Sequence, residues 1–151
     1  MSNIPGMKHT ELIRRFNRLY TSDLHLLDSH VLHTRWTFPE GRIIGAIGRT
    51  PGILARELCR LENMDKGYLS RILHSLDDRG LLYMEKDADD GRAKHLYLSA
   101  EGMKAFEELE QRSDEQAEEL YRMFTKEEME KITDAMKLYM RKKEKADVQN
   151  R

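Results

Sequence analysis

The sequence predicts a mainly α-helical fold that carries one small β-hairpin, or β-wing. Apolar side chains recur at helical spacing in several stretches, most clearly between residues 65 and 80. Two short apolar-rich runs, 81–86 and 94–98, flank a polar loop that contains several Asp residues and a Gly. Such a pattern is typical of two strands joined by a turn. The length of 151 residues suits a single domain with a modest core.

The stretch between Asp65 and Gly80 has the features of one helix of about four turns. Asp65 is suited to the N-cap because its carboxylate can accept hydrogen bonds from the free amides of the first turn. Gly80 suits the position just beyond the helix end. The predicted apolar face consists of Leu69, Ile72, Leu73 and Leu76. The opposite face is polar and partly basic, with Lys66, Ser70, Arg71 and His74.

A hairpin that directly follows such a helix is the layout of a winged helix-turn-helix lobe. In that layout the helix enters the major groove of DNA, and the wing lies along a neighbouring minor groove. Thr37 and Glu40 form a capping-box pattern that begins an earlier helix. The next helix is predicted from the helical spacing of Ile53, Leu54, Leu58 and Leu61. We therefore expect this lobe to occupy residues 37–98.

Several short motifs carry a resemblance to a known family. They are Leu69-Ser70-Arg71-Ile72-Leu73, Leu76, Gly80-Leu81-Leu82, Asp90-Gly91-Arg92 and Leu98-Ser99-Ala100-Glu101-Gly102. In this order they resemble the MarR family of bacterial transcription regulators. The resemblance implies one MarR-type domain over residues 1–151, with dimerisation helices at 8–34 and 99–146. Many members carry an Arg near Met84 and a basic residue where Gly91 stands.

The terminal segments have apolar faces that one winged-helix core does not need in full. Residues 8–33 show helical spacing, with a break expected near Thr21 and Ser22. Ser99 and the Thr125–Glu128 capping box begin two further helices. Identical apolar patches can cover each other across a two-fold axis, so we expect a homodimer. Its two recognition helices would lie ~34 Å apart and would read a pseudo-palindromic DNA site.

The composition places limits on location and partners. No stretch approaches the length of a membrane span, and the first residues lack the apolar core of a signal peptide. We therefore expect a cytoplasmic protein. The net charge is −1, but residues 1–100 hold 15 Lys and Arg against 13 Asp and Glu, whereas residues 101–130 hold 4 against 11. This charge distribution is compatible with specific DNA binding through a basic face. It argues against indiscriminate DNA coating.

Seven residues are candidates for DNA contact. An Arg on the polar helix face can bond to guanine, and a Ser can reach a base edge or a phosphate. An Arg on a thin wing loop can enter a minor groove. The candidates are Lys66, Tyr68, Ser70, Arg71, His74, Arg92 and Lys94. Asp90 is expected to act as a wing brace, because it could hold Arg92 or the loop by a salt bridge.

Other kinds of site have weaker support in the sequence. A metal site is not expected at His25, His30 and His33. Of these three residues, only the last two have a spacing that places them on one face of a helix. The single cysteine, Cys59, lies between apolar positions and is interpreted as a core thiol rather than a redox sensor. No phosphate-binding glycine loop, nucleophile motif or metalloprotease motif is present. We therefore expect no enzyme activity and no cofactor.

Two functions from different classes follow. The first is a ligand-responsive repressor, a homodimer that occupies a promoter. The resemblance implies a small aromatic or anionic effector that binds between the DNA-binding lobe and the dimer helices. The alternative is a winged-helix protein-interaction module or anti-repressor that does not bind DNA itself. It is favoured by Gly91, Met84 and the three Asp residues of the wing, together with the near-zero net charge.

Overall fold

The computed structural model describes residues 8–150. They divide between Gln116 and Ala117 into two compact units, each described by itself below. The helices are α1 (His9–Asp23), α2 (Phe38–Arg49), α3 (Ala55–Glu62), α4 (Lys66–Asp78), α5 (Ala100–Tyr121) and α6 (Lys126–Gln149). The strands are β1 (Ile53–Leu54), β2 (Leu82–Lys86) and β3 (Lys94–Leu98), and a short 3-10 turn spans Val31–His33. The predicted mainly helical fold with a small β-wing is confirmed.

The core of the first unit is centred on α2, of which residues 43–47 are all buried. Side chains from α3, α4 and β3 pack around this helix, and Trp36 adds the largest of them. The fully buried large side chains are Trp36, Ile43, Ile44, Ile47, Leu58, Leu69, Leu76 and Leu96. Burial of one such aliphatic side chain contributes about 1.5–3 kcal/mol, so these contacts hold α3, α4 and the wing on one scaffold.

The predicted helix starts are confirmed by their capping bonds. Thr37 and Glu40 exchange both bonds of a capping box at the start of α2. The Asp65 carboxylate accepts the N–H of Tyr68 at 3.1 Å, which places the start of α4 where the sequence predicted it. Ser99 accepts the N–H of Gly102 at the start of α5. Each cap satisfies amides that the first helical turn leaves free.

The wing hairpin is confirmed, but the sheet has a third strand that the sequence analysis missed. β2 and β3 pair antiparallel, with Tyr83 opposite Tyr97. The prediction of helical structure at Ile53 and Leu54 is wrong, because these two residues form β1 and pair with the outer edge of β3. The N–H of Ile53 donates to the carbonyl oxygen of Thr50, and the N–H of Leu54 donates to the Glu57 carboxylate. The helix α3 therefore begins only at Ala55.

The prediction of helical structure over residues 8–33 is wrong beyond Asp23. α1 ends there, one residue beyond the break expected near Thr21 and Ser22, and a turn segment leads to the short 3-10 turn. His25, Leu32 and His33 all have positive φ angles, between 53° and 56°. Left-handed backbone of this kind cannot continue a right-handed helix. The predicted terminal segment 8–34 is therefore one helix followed by an irregular connection.

The second unit contains the end of α5 and all of α6. The Thr125–Glu128 capping box at the start of α6 is confirmed by both of its bonds. Tyr121 and Phe124 bring their rings within 5.8 Å of each other in the turn between the helices. Within residues 8–150, no helix combines the length and the apolar character that crossing a bilayer requires.

Candidate nucleic-acid interface

The helix α4 presents one buried face and one exposed face, as its sequence pattern predicts. Leu69, Leu73 and Leu76 are buried, and Ile72 packs against the same core. The five candidate residues of this helix are all exposed, namely Lys66, Tyr68, Ser70, Arg71 and His74. Because three buried leucines fix the rotation of the helix about its axis, the polar side chains project from the lobe in a defined direction.

A concave surface between α3, α4 and the hairpin brings four of the candidates together. Lys66, Ser70 and His74 line it from α4, and Lys94 lines it from β3. Arg56 of α3 lines the same surface, although the sequence analysis did not select it. Apolar side chains form much of the remaining lining, among them Leu69, Leu73, Met84 and Leu96. The structure thus groups several cationic side chains along the rim of one groove.

The two helix candidates outside this groove, Tyr68 and Arg71, lie beside each other, and His74 has a second neighbour on the helix. The guanidinium of Arg71 lies 5.8 Å from the ring centre of Tyr68, within range of a cation–π contact. His74 lies 3.8 Å from the carboxylate of Asp78, one turn further along. Both pairs are exposed, so they leave the side chains free to reorient toward a partner.

The wing loop between β2 and β3 is held by carboxylates that bond to main-chain amides. Oδ1 of Asp87 accepts the N–H groups of Asp89 and Asp90, at 2.9 and 3.0 Å. Oδ1 of Asp90 accepts the N–H of Arg92 at 3.0 Å, so its bond goes to the backbone rather than to the guanidinium. The expected salt bridge is thus replaced by a backbone bond, since the short loop turns the amide of Arg92 toward Asp90. The Arg92 side chain is exposed.

An imidazole joins this loop to the rest of the sheet. Nδ1 of His95 lies 2.7 Å from the carbonyl oxygen of Gly52, and its Nε2 lies 2.7 Å from Oδ2 of Asp87. We call Gly52, Asp87 and His95 the imidazole bridge. The hydrogen bond to the Gly52 carbonyl is the largest cause, and the bond to the Asp87 carboxylate the second, that raise the pKa of His95 above 6.5. The His95 bond and the two backbone amides lower the pKa of Asp87 to about 2.

The imidazole bridge gives one of the acidic side chains of the wing loop a partner within the lobe. From the sequence alone, the three Asp residues of the wing argued against DNA binding, and His95 was not a candidate residue. Because Asp87 is paired with an imidazole and Asp90 with a main-chain amide, two of the three wing carboxylates are occupied within the loop. The only available sequence signal was a His on a strand eight residues after an Asp. The chain position of Gly52, 43 residues before His95, gave no hint of the contact.

The other polar residues considered earlier are located as follows. His25 and His33 bring their rings to 5.9 Å, and Ser29 contacts the ring of His30. Among residues 8–150, no three His, Cys, Asp or Glu side chains are grouped closely enough to hold a metal ion. Cys59 is half-buried, packs against the core cluster and touches the groove between α3, α4 and the wing.

Comparison with known proteins agrees with this architecture. Residues 37–93 match a family model described as the MarR family. The transcriptional regulator HosA of Escherichia coli is 35% identical over 68 residues, which cover 45% of this chain and 50% of HosA. The chain therefore spans about half the length of the curated relatives that it matches.

Solved structures match over nearly the whole chain. FabT of Streptococcus pneumoniae, solved in complex with DNA, has a TM-score of 0.77 and 15% identity, covering 92% of this chain and 99% of FabT. PcaV of Streptomyces coelicolor, solved in complex with its natural ligand, has a TM-score of 0.64 and 20% identity, covering 93% of this chain and 97% of PcaV. At these identities the matches establish the fold.

Proposed function

We propose that this chain, whose residues 37–93 match the MarR family model, is a member of that family and a sequence-specific DNA-binding transcription regulator. One observation carries the proposal. The exposed polar face of α4 and the cationic side chains of the wing border the same groove, with Lys66, Ser70 and His74 on one side and Lys94 on the other. A helix and a wing arranged in this way fit a major groove and the adjoining backbone.

In this proposal the candidate residues of the groove, of α4 and of the wing loop have separate roles. Arg71 and Ser70 read base edges, since an Arg can bond bidentately to guanine. Lys66, Lys94 and the unpredicted Arg56 contact phosphates and fix the register of the protein on the duplex. Tyr68 in the first turn of α4 and His74 further along the helix contact the DNA backbone. Arg92 enters the minor groove from the wing loop.

We propose further that the protein acts as a homodimer through its terminal helices. The helix α1 has no buried residue, and Ile13, Phe16 and Leu19 are each more than half exposed. In α6 the side chains of Leu138, Tyr139 and Met140 are likewise more than half exposed. Large apolar side chains that are exposed together on a helix mark association sites, and a second copy of the chain can cover them symmetrically. Such a dimer reads a pseudo-palindromic operator.

The regulatory part of the proposal is a repressor that responds to a small aromatic or anionic effector. The support is the family membership, together with the solved PcaV structure, which holds its natural ligand. An effector that prefers the DNA-incompetent spacing of the two recognition helices by a few kcal/mol releases the operator. The protein then acts by binding rather than as an enzyme, and it acts in the cytoplasm, where the operator lies.

The experiment that tests this function is the selection of random duplex DNA by the purified protein, followed by sequencing of the bound pool. We expect an enriched motif with two-fold symmetry and half-sites about one helical turn apart. We also expect the affinity for the enriched duplex to fall steeply with salt. Failure to enrich any motif, with or without weak salt-sensitive binding, would contradict the function and favour the alternative of a protein-interaction module.

A further inference from the structure

The imidazole bridge links three parts of the lobe that are distant in sequence. Gly52 lies in the turn before β1, His95 lies in β3, and Asp87 begins the wing loop. From Asp87 the chain of hydrogen bonds continues to the amide of Asp90 and then, through the Asp90 carboxylate, to the amide of Arg92. One continuous network therefore runs from the base of the sheet to the backbone of Arg92.

The two partners of His95 determine which form of the ring fits. A main-chain carbonyl and a carboxylate are both acceptors only, and each lies 2.7 Å from a ring nitrogen. A neutral imidazole carries one N–H and can donate only one of these two bonds. The other contact would then bring two acceptors together. Only the doubly protonated ring donates to Gly52 and to Asp87 at once.

The charged surroundings favour the same form of the ring. Asp87 faces His95 from the wing loop, and Glu57 faces it from α3. Glu85 stands opposite His95 in the register of β2 and β3. All three side chains are acidic, so each of them stabilises the imidazolium over the neutral ring.

We propose that Asp87 and His95 are positioning residues of the DNA-binding surface, and that the imidazole bridge holds the wing loop and Arg92 in place only while His95 is protonated. The proposal rests on the proposed DNA-binding function. On deprotonation of His95 one bond of the bridge is lost, so the side-chain link between the loop and Gly52 is broken. The main-chain bonds between Asp87 and Ala93 and between Ala93 and Asp90 remain, but with the link broken Arg92 spends less time in the orientation that meets the minor groove. DNA binding then weakens as the pH rises, and this effect is separate from any titration of side chains in the groove.

A substitution of Asp87 tests whether the loop needs a charged His95 ring or only the hydrogen bonds of the bridge. In Asp87→Asn the side-chain oxygen can still accept the N–H groups of Asp89 and Asp90, while the amide N–H donates to Nε2 of His95. The neutral ring, protonated at Nδ1, then satisfies every contact. This variant should keep the loop in place without a charged imidazole. The matched control is Asp89→Asn, which removes the same charge from the same exposed loop and leaves the bridge intact.

The first measurement is an NMR titration of the His95 ring nitrogens in the free, full-length protein. We expect both nitrogens to be protonated at pH 6.5 and the titration midpoint to lie above 6.5. In Asp87→Asn we expect the midpoint to fall, and in Asp89→Asn to stay near the wild-type position. A His95 that titrates below 6.5, or one whose midpoint is unchanged in Asp87→Asn, would overturn the proposal.

The second measurement is the affinity for the enriched duplex between pH 6.5 and 8.5. Because loss of one proton changes a binding equilibrium by at most tenfold per pH unit, we expect the wild-type affinity to fall about three- to tenfold. Asp87→Asn and His95→Gln should flatten this dependence, whereas Asp89→Asn should retain it. A full wild-type slope in both Asp87→Asn and His95→Gln would overturn the positioning role. Failure of every protein to enrich DNA would refute the proposed function, whereas the NMR titration decides separately whether the bridge is charged.

Discussion

At the scale of single residues, Arg71 is the side chain most directly placed to read a base. It is exposed on α4, and its guanidinium lies 5.8 Å from the centre of the Tyr68 ring. We expect Arg71→Ala to cost roughly 1–3 kcal/mol in affinity for the enriched duplex and to relax the preference at one or two positions. Repeating the duplex selection with the variant measures both effects. An unchanged motif would show that Arg71 contacts only the backbone.

Arg92 has a different expected effect because it belongs to the wing. Its exposed guanidinium should enter the minor groove and displace about one condensed cation, so Arg92→Ala should lower the slope of affinity against salt by about one. The measurement is the affinity for one duplex over a series of salt concentrations. The matched control is Arg112→Ala, an exposed arginine of α5 that lies outside the lobe. Equal slopes in the wild type and in Arg92→Ala would place the wing away from DNA.

The pKa values of His95 and Asp87 also predict how folding stability depends on pH. The raised pKa of His95 contributes stability that is fully present below 6.5 and is lost as the pH rises through its folded-state value. The lowered pKa of Asp87 contributes stability that is present above 3.8 and is lost as the pH falls toward about 2. Thermal unfolding should therefore separate the wild type from His95→Gln most clearly between pH 3.8 and 6.5. A difference in Tm that grows above that range would contradict this assignment.

At the scale of elements, the contact between α5 and the start of the hairpin depends on a glycine. A Cβ at Gly102 would clash with the main-chain carbonyl oxygen of Leu81, which cannot move as a flexible side chain can. Overpacking costs typically 1–3 kcal/mol, and the better helix propensity of Ala returns up to about 1. We expect Gly102→Ala to lower the free energy of unfolding by about 1–2 kcal/mol in denaturant titrations. Gly91→Ala, where a Cβ meets open space, should change it by less than about 0.5 kcal/mol.

The elements that the sequence predicted well are those whose signals are local. The helix α4 carries its own apolar spacing and its own cap at Asp65, and the hairpin carries two apolar runs around a turn. The strand β1 was missed because its two residues acquire their structure from pairing with β3, far along the chain. The end of α1 was misplaced because the apolar spacing continues into a segment whose backbone turns left-handed.

In the candidate interface, too, the residues that belong to local motifs were predicted and those placed by tertiary packing were missed. Seven DNA-contact candidates were chosen from exposed positions of two local motifs, and all seven side chains are exposed. Arg56 was missed because its position beside α4 depends on how α3 packs. The imidazole bridge was missed because a carbonyl, a carboxylate and an imidazole meet only after the sheet has formed.

At the scale of the whole molecule, the proposed dimer depends on the apolar side chains of α1. Phe16 is 56% exposed and its ring stacks on that of Tyr20. A carboxylate at this position would have to be desolvated within a dimer interface, so Phe16→Asp should shift the protein toward monomer. Sedimentation velocity measures the shift. Asn17→Asp places the same charge on the neighbouring, already polar position and should leave the dimer unchanged. A monomeric wild type would contradict the dimer.

The central claim is that the exposed face of α4 and the wing together form a DNA-reading surface. The most direct test is selection of random duplex DNA by the wild type and by Arg71→Ala, with both bound pools sequenced. We expect a two-fold motif with half-sites about one turn apart for the wild type, and loss of preference at symmetry-related positions for the variant. Absence of any motif in the wild-type pool, or an identical motif from the variant, would contradict it.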